Sequence, residues 1–353
     1  MTVTIKDIAK RAGFSFSTVS RALNDRYGTD PKTLAKIKAV AEEMGYRPNQ
    51  VAKSLVQKST RTLGLILPDL SNPYFSTLLS HIRSQIDEAK YSLLICTTDW
   101  EPEKERNELK LLLERRCDGV LLYPSDPVDG NTLAKYGIPI CVFSEQGVQL
   151  DSVFFVGVDN AYCGQLATEH LFDYGYKRPA FLGGNLKSSS SVLRQNSFVK
   201  TCQARGYEPE AALLSQGRYT IESGHERATK LLALREERRP DAFFCANDLI
   251  AMGAMEAVTL AGYELGTDIG VVGVDNVIYA GLPQIRLTTI DIPLKMLAHQ
   301  GVDELLLRLG RQAPTTKRGG AAQVADALPP VTGRKNILLK PELVIRETTK
   351  VQK

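Results

Sequence analysis

The stretch TIKDIAKRAGFSFSTVSRALN, residues 4–24, decides how the rest of the chain is read. Thr4 followed three residues on by Asp7 is a capping box, in which hydroxyl and carboxylate satisfy amides that helix geometry leaves unpaired. Ile5, Ile8, Ala9 and Ala12 then recur at the spacing that puts them on one helix face. Gly13 can take the left-handed conformation that ends a helix. Ser15 can cap a second helix, Phe16–Leu23, with Val19, Ala22 and Leu23 facing inward. Asp30-Pro31 opens a third, since proline loses nothing at a first-turn position whose N–H is unpaired anyway. Leu34, Ile37, Ala41 and Met44 line that helix and Gly45 stops it. Two short helices joined by a three-residue turn, with a third behind them, make a helix-turn-helix unit over residues 1–45.

In such a unit the second helix enters the major groove and its N-terminal side chains meet base edges. Phe16, Ser17, Ser20 and Arg21 point outward. Arg21 is the strongest base reader, because its fork pairs bidentately with guanine for about 1–3 kcal/mol of discrimination. Ser17 can donate or accept, and Phe16 can touch a thymine methyl or simply pack. Thr18, Asn24 and Lys32 fall where phosphate contact sets register. An arginine on a lone short helix is ordinarily a solvent or phosphate contact; the surrounding framework is what turns this one toward bases.

The charge distribution agrees. The 353 residues carry a formal net charge of +4, which says little until it is divided. Residues 1–62 hold twelve Lys/Arg against five Asp/Glu, a surplus of seven, so the remaining 291 residues are acidic by three. A basic head on a slightly acidic body is what a polyanionic partner of the head requires, and on charge alone a solvated basic face fits equally well. The six cysteines lie far apart with no C-x-x-C pair, as expected of free buried thiols in a reducing cytoplasm. No apolar run approaches the roughly 18 residues of a membrane span, and MTVTIKDIAKRAG has no apolar signal core.

Residues 46–62 join head to body. Asn49–Gln57 can make two helical turns behind Pro48, too few for an isolated helix, which needs roughly 12–15 residues. Beyond them, short apolar runs (Leu63–Leu67, Leu93–Thr97, Gly119–Tyr123, Ile138–Phe143, Phe154–Val158, Ala180–Gly183, Ala242–Cys245, Gly270–Val274) alternate with helical stretches such as Phe75–Ala89, Tyr162–Tyr174 and Leu249–Ala261. This alternation predicts an α/β body, residues 63–353, built on parallel sheets and long enough for two lobes.

The head, followed by GYRPNQVAKSLVQKSTRTLGLILPDLSNPYF, CDGVLLYP, GVDNAYCGQLATEHLFDYGYKRPAFLGG, CANDLIAMGA, VVGVDN, LTTI and ELVIRE, resembles the lactose-repressor/purine-repressor family (LacI/GalR) of transcriptional regulators along nearly the whole chain. The resemblance implies a body of two similar lobes with chain crossovers, like periplasmic sugar-binding proteins. It also implies a hinge helix that folds on double-stranded operator DNA beside its dimer mate. There Asn49 and Lys53 lie at the DNA and Leu55 is a minor-groove wedge, whose unstacking cost is repaid by bending.

Ligands of parallel sheets bind beyond the strands' carboxyl ends. Those ends supply Asp69, Ser71, Asn72, Tyr74, Phe75, Ser125, Asp126, Asp159, Ser190, Arg194, Tyr219, Asn247, Asp248 and Asp275. A polar ring with a few aromatics suits a polyhydroxylated ligand. The family positions make Arg194, Asn247 and Asp275 effector contacts, with Tyr74, Phe75 and Tyr219 around the ring and Ser125, Asp159 and Ser190 nearby. Asp and Asn after strands are also ordinary helix caps, and Tyr219 could be plain lobe packing. Two departures stand out: a Gly/Pro/Ala-rich insertion at 311–335, read as a mobile loop, and Asp291, where members often carry another polar residue near the ligand.

No enzyme is implied. The four histidines are scattered with no H-E-x-x-H, and neither a phosphate-binding G-x-x-x-x-G-K-[ST] loop nor a G-x-G-x-x-G after a strand occurs. No cofactor or metal is expected. The expected function is a homodimeric, cytoplasmic, ligand-responsive repressor of a carbohydrate-utilisation operon at a pseudo-palindromic site. The alternatives are a nucleobase-responsive corepressor-dependent repressor and a solute-binding protein; the latter would not need the basic head.

Overall fold

The computed structural model describes residues 3–23, 30–46, 59–148, 150–185, 188–310 and 336–352, in two compact units, Met1–Thr60 and Arg61–Lys353. The expected phosphate contact Asn24, the hinge residues Asn49, Lys53 and Leu55, and the 311–335 insertion lie outside the described residues.

The first unit contains α1 (Ile5–Ala12), α2 (Phe16–Leu23) and α3 (Pro31–Glu43). Each begins at its expected cap. The Thr4 amide donates to Asp7 Oδ2 at 2.8 Å, the Thr18 amide to Ser15 Oγ at 3.2 Å, and the Thr33 amide to Asp30 Oδ2 at 3.1 Å. Ile8, Ala9, Ala12, Val19, Ala22, Ile37 and Ala41 form its core, with Leu23, Leu34 and Met44 packed half-buried against it.

The second unit is two six-stranded sheets. In chain order its strands are β1 (Thr62–Leu67), β2 (Ser92–Thr97), β3 (Gly119–Leu122), β4 (Ile140–Phe143), β5 (Val153–Val158), β6 (Pro179–Leu182), β7 (Leu214–Ser215), β8 (Ala242–Cys245), β9 (Gly270–Asp275), β10 (Thr288–Asp291), β11 (Ile337–Leu339) and β12 (Glu342–Val344). They lie in the orders β2-β1-β3-β4-β5-β11 and β7-β6-β8-β9-β10-β12. All pairings are parallel except β10 with β12. Strands β3, β4, β5, β6, β8 and β9 are buried throughout, which is why they read as unbroken apolar runs. Around them pack α4 (Pro73–Glu88), α5 (Pro102–Glu114), α6 (Gly130–Ala134), α7 (Asn160–Asp173), α8 (Ser189–Ala204), α9 (Ile221–Leu232), α10 (Asp248–Leu260) and α11 (Leu294–Arg308).

The chain passes between the lobes three times, at Val158–Asn160, Asp291–Leu294 and Leu339–Glu342. In the second lobe α9 and α10 meet backbone to backbone: a Cβ on Gly253 would lie 1.9 Å from the Ile221 carbonyl oxygen and 2.6 Å from the His225 nitrogen. Only glycine permits that approach.

Strands β10 to β12 and helix α11 were not anticipated by the hydrophobic pattern. Helix α11 buries Leu294, Leu297, Ala298, Gln300, Gly301, Val302, Glu304, Leu305 and Leu306, most of its circumference, so it has no clean polar face to announce it. Among the described residues no helix is long and apolar enough to cross a membrane, and no cluster of His, Cys, Asp and Glu could hold a metal ion.

Candidate functional site

In the head, the expected reading face is open. Phe16 is 54% exposed, Ser17 and Arg21 are exposed, and Thr18 and Ser20 are half-buried. The Ser17 hydroxyl lies 2.8 Å from that of Ser15, and Arg21 Nε donates to the Ser17 carbonyl at 3.3 Å. Arg21 is therefore steered along α2 toward its N-terminal end, the end that faces bases in this motif.

In the body, the carboxyl ends of both sheets face each other across a cleft with two connected compartments. The smaller, about 310 Å³, is lined by Asn72, Tyr74, Phe75, Trp100, Tyr123, Ser190, Arg194, Tyr219, Asn247 and Asp275. Seven of the nine expected effector residues thus share one cavity. The larger, about 550 Å³, shares Tyr74, Tyr123 and Ser190 and adds Ser125, Asp126, Ser144, Glu145 and Asn160. Ser125 is there but already engaged: its amide donates to Glu105 Oε2 at 2.6 Å and its hydroxyl lies 2.9 Å from that of Thr98.

The polar wall belongs to the second lobe. Arg194 is buried on α8; its Nε donates to Asn160 Oδ1 at 2.9 Å and its Nη1 to the Ala246 carbonyl at 2.5 Å. Asn247 is at once a helix cap and a cavity residue. Its Oδ1 accepts the Ile250 amide at 2.9 Å, while its buried Nδ2 has no hydrogen-bond partner. A buried donor left unpaired costs about 1–3 kcal/mol, a cost that a ligand oxygen removes.

Asp275 ends β9 in an unusual backbone conformation, φ 113°, followed by Asn276 at φ 51°. Burial drives the Asp275 carboxyl well above the usual carboxylate range, with Arg194 pulling the other way. Behind this turn, Asp248 Oδ2 accepts the Val277 amide at 2.8 Å and Oδ1 the Thr289 hydroxyl at 2.5 Å. Burial lifts Asp248 to about 7. The aromatic wall belongs mostly to the first lobe. Tyr74, Phe75 and Tyr123 meet edge to face, with centroids 4.9 to 6.0 Å apart.

Residues 60–318 match the family described as periplasmic binding proteins and sugar binding domain of LacI family, and residues 4–49 match the lacI family of bacterial regulatory proteins. The chain belongs to the LacI family. It is 32% identical to the HTH-type transcriptional regulator DegA of Bacillus subtilis, over 99% of this chain and 98% of that protein. It is also 32% identical to the HTH-type transcriptional repressor PurR of Mannheimia succiniciproducens, over 98% of each. The structure of a Lac repressor dimer bound to operator and anti-inducer superposes with a TM-score of 0.80 at 27% identity, covering 99% of this chain and 100% of that one. This LacI-family protein is thus a DNA-binding transcriptional regulator and not an enzyme.

Two expected positions in this regulator are placed elsewhere. Asp159 lines neither compartment; its Oδ1 accepts the Tyr162 amide at 2.8 Å and caps α7. The neighbouring Asn160 takes the place assigned to it. Besides holding Arg194, its amide and Nδ2 both donate to Glu145 Oε2 at 2.8 Å. Asp291 also lies behind the cleft, its Oδ1 accepting Asn276 Nδ2 at 2.8 Å, so it supports the Asp275 turn and is absent from the cavity wall. Trp100, Tyr123, Glu145 and Asn160 were missed. Trp100 and Glu145 lie in loops after strands β2 and β4, whose ends were not read for ligand residues.

Proposed function

We propose that this LacI-family regulator is a cytoplasmic repressor of carbohydrate-utilisation genes that binds a pseudo-palindromic operator as a homodimer and is switched by a sugar-like effector in the interlobe cleft. The observation that carries the effector reading is the single cavity with Arg194, Asn247 and Asp275 on one side and Tyr74, Phe75 and Tyr123 on the other. Converging hydrogen-bonding groups fix ring hydroxyls, and aromatic faces cover the apolar face of a sugar ring. Because the cavity is made by both lobes, a ligand that prefers one interlobe angle shifts the equilibrium between DNA-competent and incompetent dimers.

Dimerisation is supported by exposed apolar side chains. Leu94 and Ile95 on edge strand β2, together with Ile278, Tyr279 and Leu282 in the second lobe, are all substantially exposed. Helix α4, which packs beside β2, shows solvent a polar face of Ser76, Thr77, Ser80, Arg83 and Ser84. In the head, Phe16, Ser17, Ser20 and Arg21 read bases and Thr18 meets phosphate; Asn24, Asn49, Lys53 and Leu55 are assigned to DNA by family position.

A second reading, a nucleobase effector, is favoured by the relative named PurR and by the aromatic wall. Thermal-shift titration against neutral sugars, sugar acids and nucleobases decides between them. A sugar raising the melting temperature supports the first reading, and a shift confined to hypoxanthine or guanine overturns it. For the head, Arg21→Ala should weaken binding to an operator selected from random sequence by about 1–3 kcal/mol, with salt-sensitive nonspecific binding retained. Equal loss on specific and nonspecific DNA in a gel-shift titration would show that Arg21 meets phosphate only.

A further inference from the structure

Trp100 is the only tryptophan in the chain, and it stands where the two lobes meet. It follows β2 in a turn whose residues Asp99 and Trp100 are both left-handed, at φ 51° and 62°. The turn is anchored by buried Thr98, through its contact with Ser125. From this turn the indole packs edge-on against Phe75 and Tyr123 of its own lobe, with centroids 5.9 and 6.3 Å apart. It stacks on Tyr219 of the opposite lobe at 5.4 Å and an interplanar angle of 24°.

Tyr219 is fixed just as firmly from the other side. Its hydroxyl donates to Ser188 Oγ at 2.9 Å, and its ring lies so close to Gly184 that a Cβ there would fall 2.0 Å from Cζ. Both rings line the compartment that holds Arg194, Asn247 and Asp275.

We propose that Trp100 is a specificity-determining residue of the effector cleft: paired with Tyr219 it latches the lobes together, and it forms the aromatic wall against which a ring-shaped effector lays its apolar face. The proposal rests on the reading of this cleft as the effector site. An offset aromatic pair favours the closed arrangement of the lobes by roughly two- to tenfold over an unstacked one. A ligand beside the indole adds its own contact to that preference, so occupancy and closure are coupled at one side chain. Acyclic polyols, with no ring face to offer, gain nothing from it.

The test uses the full-length protein and its single indole as reporter. The probes are D-glucose, D-ribose, cellobiose, hypoxanthine and the acyclic polyol D-sorbitol, each titrated by thermal shift and by tryptophan emission. A cyclic probe that stabilises the protein should change the emission with the same half-saturation. Trp100→Ala should weaken that probe about tenfold or more, and Trp100→Phe, which keeps an aromatic face and guards against misfolding, should stay within about threefold of wild type. A probe that stabilises the protein without altering Trp100 emission, or that binds Trp100→Ala as tightly as wild type, overturns the proposal. Tight binding of sorbitol alone overturns it as well. If no probe binds, the reading of the cleft as a sugar or nucleobase site fails, and the latch is judged without ligand. Tyr219→Ala should then expose the indole to acrylamide quenching, and unchanged quenching overturns the stack.

Discussion

Replacing Arg346 by alanine perturbs the effector cleft from behind, without touching its wall. Arg346 follows the last strand, and its guanidinium donates from Nη1 to the Leu287 carbonyl and from Nη2 to Asn276 Oδ1, both at 2.7 Å. Asn276 in turn donates to Asp291. Together these contacts hold Asp275 and Asn276 at positive φ, a strain of order 1–3 kcal/mol per residue that persists only where the surroundings over-determine it. Each half-buried, charge-assisted hydrogen bond is worth about 1.5 kcal/mol, so Arg346→Ala should cost about 3 kcal/mol, or roughly 6 °C in a unit of this size. Asn276→Gly provides the control, because glycine accepts the left-handed conformation but lacks the amide that Arg346 grips. In that background only the Leu287 bond remains to be lost, and Arg346→Ala should cost about 1.5 kcal/mol. Thermal unfolding of the four proteins in the cycle reads this coupling directly. Additive costs, within about 0.5 kcal/mol, would show that Arg346 and Asn276 act independently and that the clamp does not exist.

Gly253→Ala should destabilise the second lobe by about 3 kcal/mol, the upper end for overpacking, because the new methyl would meet the Ile221 backbone on α9; a melting temperature within 1–2 °C of wild type would contradict the packing. His170 gives the pH dependence. It is buried against Thr349, and burial pushes its imidazole down to about 4. As pH falls below 6.5 the unfolded chain takes the proton first, so the stability due to this group is complete above that value and is lost toward 4. From pH 7.5 to 5 the wild type should lose about 2 kcal/mol more than His170→Gln, and parallel denaturation curves for the two proteins would refute a neutral buried ring.

The parts of this structure that were plain in the sequence are those where one local rule acts alone. The caps at Thr4, Ser15 and Asp30 lie where hydroxyl and carboxylate meet an unpaired amide, and the buried strands β3 to β6 are unbroken apolar runs. Helix α11 was hidden because it is buried on most sides, which erases the period that marks a surface helix. In the cleft, reading strand ends brought Tyr74, Arg194, Tyr219, Asn247 and Asp275 to one cavity. It erred by one residue at Asp159, because a carboxylate after a strand serves equally well as a helix cap and only the turn of the backbone decides. Asp291 was placed near the ligand by family position alone, and such a position does not reveal that here the carboxylate is spent on Asn276 of the neighbouring turn. Trp100 was passed over with the end of β2, and its stack on Tyr219, more than a hundred residues away, leaves no local pattern to draw the eye there.

The three passages between the lobes also set a timetable for biosynthesis. The first lobe begins at β1, yet it waits for α11 and takes its outermost strand, β11, from residues 337–339. Most of that lobe leaves the ribosome long before the pieces that complete it. The flank of β5, which β11 will cover, stays open while about 180 further residues are made, at roughly 5–20 residues per second. During those seconds an exposed strand edge is a template for a second nascent chain, and chains emerging side by side from one message are the nearest candidates. The interleaving that joins the lobes of the finished sensor thus leaves its first half without an edge strand until β11 has been made.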